Sequence, residues 1–334
     1  MLNISTPTQL SHRLLLSGSS SMTMNKCNQT EITEFILLGI QGSWVLQSFF
    51  FVIFTVTYIF TISGNVLIVG LVMRSQRLHT PMYFFLCHLS LSDILLSTNV
   101  VPNLLCTLLW SGKTMSVRDC ITQYYFSCLS TISECFLLTV MSYDRYLAIC
   151  RPLHYVTIMD MSLRLHLVMW SWLLGFLLSL SSIISLTAMK FCGSNIIDHI
   201  YCDIAPLLES SGSDTSITVI GTIVFSIPLV FFPFMFIFIT YVRIILTIGK
   251  ISTSTGRNKS LSTCSSHITV VTTYYGTLIA KYTVPSSGHS VSYSKVISLL
   301  YTVVTPLLNP AIYSLRNQDI RDALKKLIYL RKMY

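Results

Sequence analysis

The chain has 334 residues, 52% hydrophobic and only 10% charged, with 22 Lys and Arg against 13 Asp and Glu for a net charge of +9. Soluble domains carry about 25% charged residues, so a water-soluble fold of this size is excluded. The positive mean hydropathy, +0.66, agrees with residence in a membrane.

Residues 1–43 read as a tail. Leu14-Leu15-Leu16, after Arg13, is too short for a signal-peptide apolar region, so the first spanning helix is expected to act as the insertion signal. Asn3-Ile4-Ser5 and Asn28-Gln29-Thr30 are glycosylation acceptor triplets, with Asn3 and Asn28 as the acceptors. Apolar stretches of spanning length then recur at about 45–73, 81–109, 120–145, 164–188, 216–248, 262–284 and 293–315. The expected architecture is an all-α membrane protein, a seven-transmembrane helix bundle over residues 44–316, with a tail at 317–334.

The third stretch is the most informative. From Cys120 to Arg145 only Glu134 is charged, and at 1.5 Å per residue the run covers roughly 37 Å, enough to cross a bilayer with tilt. It closes on Met141-Ser-Tyr-Asp-Arg-Tyr-Leu-Ala-Ile-Cys150, which sets the Asp144–Arg145 pair at a membrane face where Asp144 can hold the arginine until a partner competes.

Basic residues gather in alternate connections: Arg74 and Arg77, Arg151 and Arg164, Arg243 to Lys259, and Arg316 to Lys332. By the positive-inside rule that side is cytoplasmic and the N-terminus is extracellular. The basic excess then speaks for anionic lipid and a cytoplasmic partner, not for nucleic acid. In the last segment Ile320, Ala323, Leu324, Leu327 and Ile328 recur at helical spacing between basic residues, which predicts a short amphipathic helix on the inner leaflet.

Asp93 and Glu134 are carboxylates at membrane depth, where ionisable groups are costly and usually face a bundle interior with partners or water. Near Asn65, Ser130 or Asn309 they can hold a Na⁺ ion, or one can stay protonated beside the other. Pro310 removes a backbone donor and bends the last stretch, and Asn309 offers polar groups to the freed carbonyl.

Several long motifs, in order, resemble the vertebrate olfactory receptors within the rhodopsin-like G-protein-coupled receptors. They are Thr33-Glu34-Phe35-Ile36-Leu37-Leu38-Gly39, Gly64-Asn65, Leu78-His79-Thr80-Pro81-Met82-Tyr83, the 141–150 block, Ser213-Asp214-Thr215, Lys259 to His267, and Pro306 to Asn317. The resemblance covers nearly the whole chain from about Asn28. It implies an odorant receptor of the plasma membrane that takes a small, mostly apolar molecule into the bundle and activates a stimulatory, olfactory-type heterotrimeric G protein to raise cAMP. It also implies that translation starts at Met22 or Met24.

The resemblance assigns roles to residues. Asp144, Arg145 and Tyr146 would couple to the G protein, and Asn309, Pro310 and Tyr313 would form an activation switch. The family's sodium position matches Asp93, with Glu134 as an added acid, so Na⁺ is the expected allosteric ion and no other cofactor is implied. Its conserved disulfide falls on Cys120 and Cys202. A second family bridge begins at Cys192, but its partner position is Gly212 here, so Cys192 is either unpaired or joined to Cys27.

Tyr124, Ser127, Cys128, Thr131 and Ile132 recur at steps of three and four and share one helix face. With Phe225, Ser226, Leu229, Tyr275, Leu278, Ile279, Tyr282 and Thr302 they match positions lining the family's odorant cavity. Ser127 stands where amine receptors carry an aspartate, which disfavours a monoamine. Tyr275 replaces a tryptophan common in the wider class, and Arg257 stands where that class often has an acid restraining the arginine. Lys281, near the outer end of the sixth stretch, is expected to snorkel to the surface rather than face the cavity.

Two other readings share these features. A rhodopsin-like receptor for a metabolite or peptide outside the nose has the same fold and motifs. A transporter or channel is compatible with seven spans but would need inverted repeats or rings of charge, and none is visible. The chain carries no nucleophile, base and oxyanion constellation, so it is not expected to be an enzyme.

Overall fold

Inside a bilayer a backbone must satisfy its own hydrogen bonds, and the apolar stretches do so as long helices. The computed structural model describes residues 32–212, 215–251, 253–283 and 291–333. Within these, the first six spans are Trp44–Arg74, Pro81–Trp110, Val117–Cys150, Met161–Thr187, Ser216–Gly249 and Ser254–Thr283. The seventh runs from Val291 to Arg316 through a π-helical turn at Leu300–Val304. Asn3, Asn28 and Cys27 lie outside the described residues, as do the side chains of Phe225 and Tyr282.

Local chemistry sets the starts. Ser43, Ser116 and Asp160 each cap a span by accepting from a backbone N–H three residues on, and Pro81 opens the second span where its missing donor costs nothing. Six helices among the described residues are long and apolar enough to cross a membrane. The sixth span is as long, 30 residues, but rich in Ser and Thr, and it is held by packing against the third, fifth and seventh.

The third span is the axis of the bundle: 67% of its apolar window is buried, against 17% for the first, whose Phe49, Val52 and Ile59 face outward as lipid-facing residues would. Two glycines permit the closest approaches. A Cβ at Gly64 would meet Pro310 at 3.2 Å, and one at Gly175 would strike Ser133 and lie 3.1 Å from the Leu129 carbonyl. The Gly64-Asn65 motif is therefore a packing requirement between the first and seventh spans.

One end of the bundle carries a three-stranded sheet. β1 (Glu34–Leu37), from the tail, lies between β2 (Lys113–Ser116), antiparallel with Glu34 opposite Ser116, and β3 (Ile196–Ile197), parallel with Ile36 opposite Ile196. Alternation along β1 buries Phe35 and Leu37, so the end of the tail is built into the fold. Gly39 follows at φ +65°, a conformation suited to glycine, and a Cβ there would collide with Thr107. The opposite end carries two further helices, Pro152–Ile158 and Gln318–Met333. The Tyr83 hydroxyl anchors the second of these by bonding Asn317 Oδ1 at 2.8 Å and Asp319 Oδ2 at 3.0 Å.

Candidate functional site

A disulfide joins Cys120, in the first turns of the third span, to Cys202 in the long connection that carries β3. Gln123, one turn further on, accepts from the Cys202 N–H at 2.9 Å and donates to the Asn99 carbonyl at 3.0 Å, so the connection is clamped to the second and third spans. Cys192 is also disulfide-bonded, with its partner outside the described residues, which removes the reading that it is unpaired. The remaining described cysteines are free.

Adjoining this clamp is a cavity of about 720 Å³. Tyr124, Ser127, Cys128, Thr131 and Ile132 line it, as do Ser226, Leu229 and Leu278, so those expected positions share one wall. From Tyr124 to Cys135 the third span contributes about 16 Å of depth. Three expected positions lie elsewhere. Tyr275 is buried with its hydroxyl 3.0 Å from Cys135 Sγ, Thr302 is buried with its hydroxyl donating to the Ser298 carbonyl, and Ile279 is 49% exposed on the outer surface. Residues the sequence did not single out complete the wall, notably Tyr201, Asp203, Tyr274 and Tyr301. At the floor Thr131 Oγ1 lies 2.6 Å from Tyr301 Oη, and Tyr274 Oη donates to the Thr131 carbonyl at 2.6 Å.

Lys281 corrects an expectation. It turns into the cavity rather than out to the surface, 3.0 Å from Asp203 Oδ2 and 2.6 Å from Tyr201 Oη, with its ammonium over the rings of Tyr201 and Tyr301. A lysine snorkels outward when it has no partner within; here a buried carboxylate and two aromatic faces supply one. Burial works to raise the Asp203 carboxyl, but the Lys281 ammonium, helped by His199, outweighs it and holds the group below the ordinary carboxylate range. His199 is itself buried, and burial lowers its pKa. Its Nδ1–H donates to the Tyr201 carbonyl at 3.1 Å, which leaves Nε2 to accept from Ser298 at 3.3 Å.

At the opposite end Asp144 is fully buried and Arg145 nearly so. Arg145 donates to Asp144 Oδ2 through Nη2 at 2.8 Å and Nε at 3.1 Å. Tyr155, on the short Pro152–Ile158 helix, donates to the other oxygen, Oδ1, at 2.8 Å, so both carboxylate oxygens are engaged. Tyr146 is half-buried against the core. Arg257 is exposed.

Between the two ends, Asn309 Nδ2 donates to both oxygens of Asp93 at 3.0 Å, and Asn65 Nδ2 donates to the Pro306 and Thr61 carbonyls. Glu134 Oε1, Asn65 Oδ1, Ser97 Oγ, Ser133 Oγ and Tyr313 Oη are buried without a hydrogen-bond partner among the described residues. Such a set of orphaned oxygens suits water or a hard cation.

Residues 54–332 match the family model described as olfactory receptor. The chain is 43% identical over 302 residues to human olfactory receptor 6B1, covering 90% of this chain and 96% of the relative. It is 46% identical over 304 residues to mouse olfactory receptor 4E2, covering 91% and 98%. Among solved structures, squid rhodopsin shares the fold with a TM-score of 0.68 at 16% identity, over 87% of each chain.

Proposed function

The chain belongs to the olfactory receptor family, receptors rather than enzymes, and from that premise we propose that it binds a small, mostly apolar odorant in the cavity. It then activates a stimulatory, olfactory-type G protein and raises cAMP. The observation that carries this reading is the pairing of a cavity beside the Cys120–Cys202 clamp with a restrained arginine at the far end of the same helix. The third span forms the rear wall of the one and presents the other.

In this reading the sheet-bearing end faces outside and the arginine end faces the cytoplasm of the plasma-membrane receptor, in accord with the basic residues of its connections. Ligand binds the active arrangement better than the resting one and shifts the population. The inner ends of the fifth and sixth spans move, Arg145 leaves Asp144, and the G protein occupies the opening, with Tyr146 beside it. Asn309, Pro310 and Tyr313 allow the seventh span two packings. In the resting state Asp93 and Asn309, with the orphaned carboxylate oxygen of Glu134, would hold Na⁺, which would supply positive charge between two buried acids.

The test is cAMP in cells co-expressing the chain and an olfactory stimulatory G protein, screened with volatile alcohols, aldehydes, esters, acids and amines. A response that Arg145→Ala abolishes at unchanged surface level supports the reading. Silence at verified surface expression counts against it.

A further inference from the structure

The charged members of the cavity wall, among the described residues, are Lys281 and Asp203, and they are paired at 3.0 Å. The cavity therefore presents no net charge, although it contains both signs. Five of its hydroxyls are also biased in one direction. Thr131, Ser181, Ser182, Ser185 and Thr222 each donate their proton to a backbone carbonyl of their own helix, which leaves their oxygen lone pairs as acceptors. Leu178, Ile132, Leu229 and Val230 supply apolar surface between them.

Resting on the reading of this cavity as the odorant site, we propose that it selects neutral, hydroxyl-bearing molecules over carboxylic acids and amines, with the Lys281–Asp203 pair as the specificity determinant. A hydroxyl donates to the acceptor oxygens of the wall while its carbon chain fills the apolar part. A carboxylate drawn to Lys281 brings a second negative charge against Asp203, and an ammonium drawn to Asp203 meets Lys281. Each ionic ligand is thus opposed by the partner of the group that attracts it.

The experiment uses full-length receptor and one carbon skeleton presented as primary alcohol, methyl ether, carboxylic acid and primary amine. Both cAMP and the thermal shift of purified receptor are read, for wild type, Asp203→Asn and Lys281→Met at matched surface level. Asn at 203 keeps the acceptor that caps the Ile204–Glu209 helix and Met keeps the length of the lysine stem, and the thermal midpoint without ligand checks that each variant folds. The alcohol is expected to act, the ether about tenfold more weakly, and the acid and amine not at all. Asp203→Asn gains the acid, and Lys281→Met gains the amine. Wild type answering the acid or amine as well as the alcohol, or variants keeping the wild-type order, overturns the assignment. An alcohol that stabilises the receptor without raising cAMP leaves the selectivity standing and overturns the stimulatory coupling. No stabilisation by any member overturns the selectivity.

Discussion

The two ends of the bundle are held by different kinds of bond. At the sheet end a disulfide, a strand ladder and a buried ion pair fix the long connection over the cavity. At the other end Arg145 is held by one carboxylate, itself shared with a tyrosine hydroxyl, with no covalent tie. Covalent and backbone bonds have no ready substitute, whereas a side-chain ion pair can be exchanged for another of similar worth. The contrast teaches that one end is built to keep its shape and the other to change partners.

The largest break in this contrast comes from opening the fixed end. Cys202→Ser frees a loop of 82 residues and is expected to cost about 4 kcal/mol of stability, read as a lower thermal midpoint and lost surface expression. Gly175→Leu tests the axis joining the ends. Its side chain must enter space held by Ser133 and Leu129, for an expected loss of about 1–3 kcal/mol in the same assay.

At the exchangeable end the fold should survive while the balance moves. Asp144→Asn removes the charge that holds Arg145 and raises basal cAMP at equal surface level. Tyr155→Phe removes a charge-assisted hydrogen bond to that carboxylate, worth about 1.5–3 kcal/mol, and raises the basal signal by less than Asp144→Asn does. Unchanged basal cAMP in both would show that the arginine is restrained elsewhere.

The smallest effect is a pH slope at the fixed end. Burial lowers the His199 pKa below its ordinary 6.5; Asp203 opposes that shift, while Lys281 and Lys295 add to it. The folded state therefore takes up a proton less readily than the unfolded chain. Its stability contribution is complete above 6.5 and is lost as pH falls below that value. His199→Gln cannot titrate, and its thermal midpoint should lack the slope that the native receptor shows between about pH 7.5 and 5.5, about one unit to either side of the ordinary histidine value.

Much of this was legible in the sequence because the bilayer imposes simple rules. Spanning helices announce themselves as apolar runs, and the expected boundaries lie within a few residues of the observed ones except at the sixth span, where the helix begins at Ser254, ahead of its apolar part. β1 was less visible: the alternation of Phe35 and Leu37 was present, but four residues are too few to distinguish a strand without its partners 113–116 and 196–197. The direction of Lys281 was hidden for a related reason. A single lysine near a helix end carries no sign of where it points, and the deciding partners, Asp203 and Tyr201, arrive from a connection some eighty residues away. The π-helical turn at Leu300–Val304 has no counterpart in the apolar pattern at all.

The most direct test of the contrast is a pair of distances followed as ligand is added. In purified receptor with its free cysteines replaced, spin labels at Ala148 and Ser260 report on the arginine end, and labels at Lys113 and Ile196 report on the sheet end. Binding of an active alcohol is expected to lengthen the first distance by several ångström and leave the second unchanged. Equal movement at both ends, or a fixed first distance with ligand bound, would contradict the account.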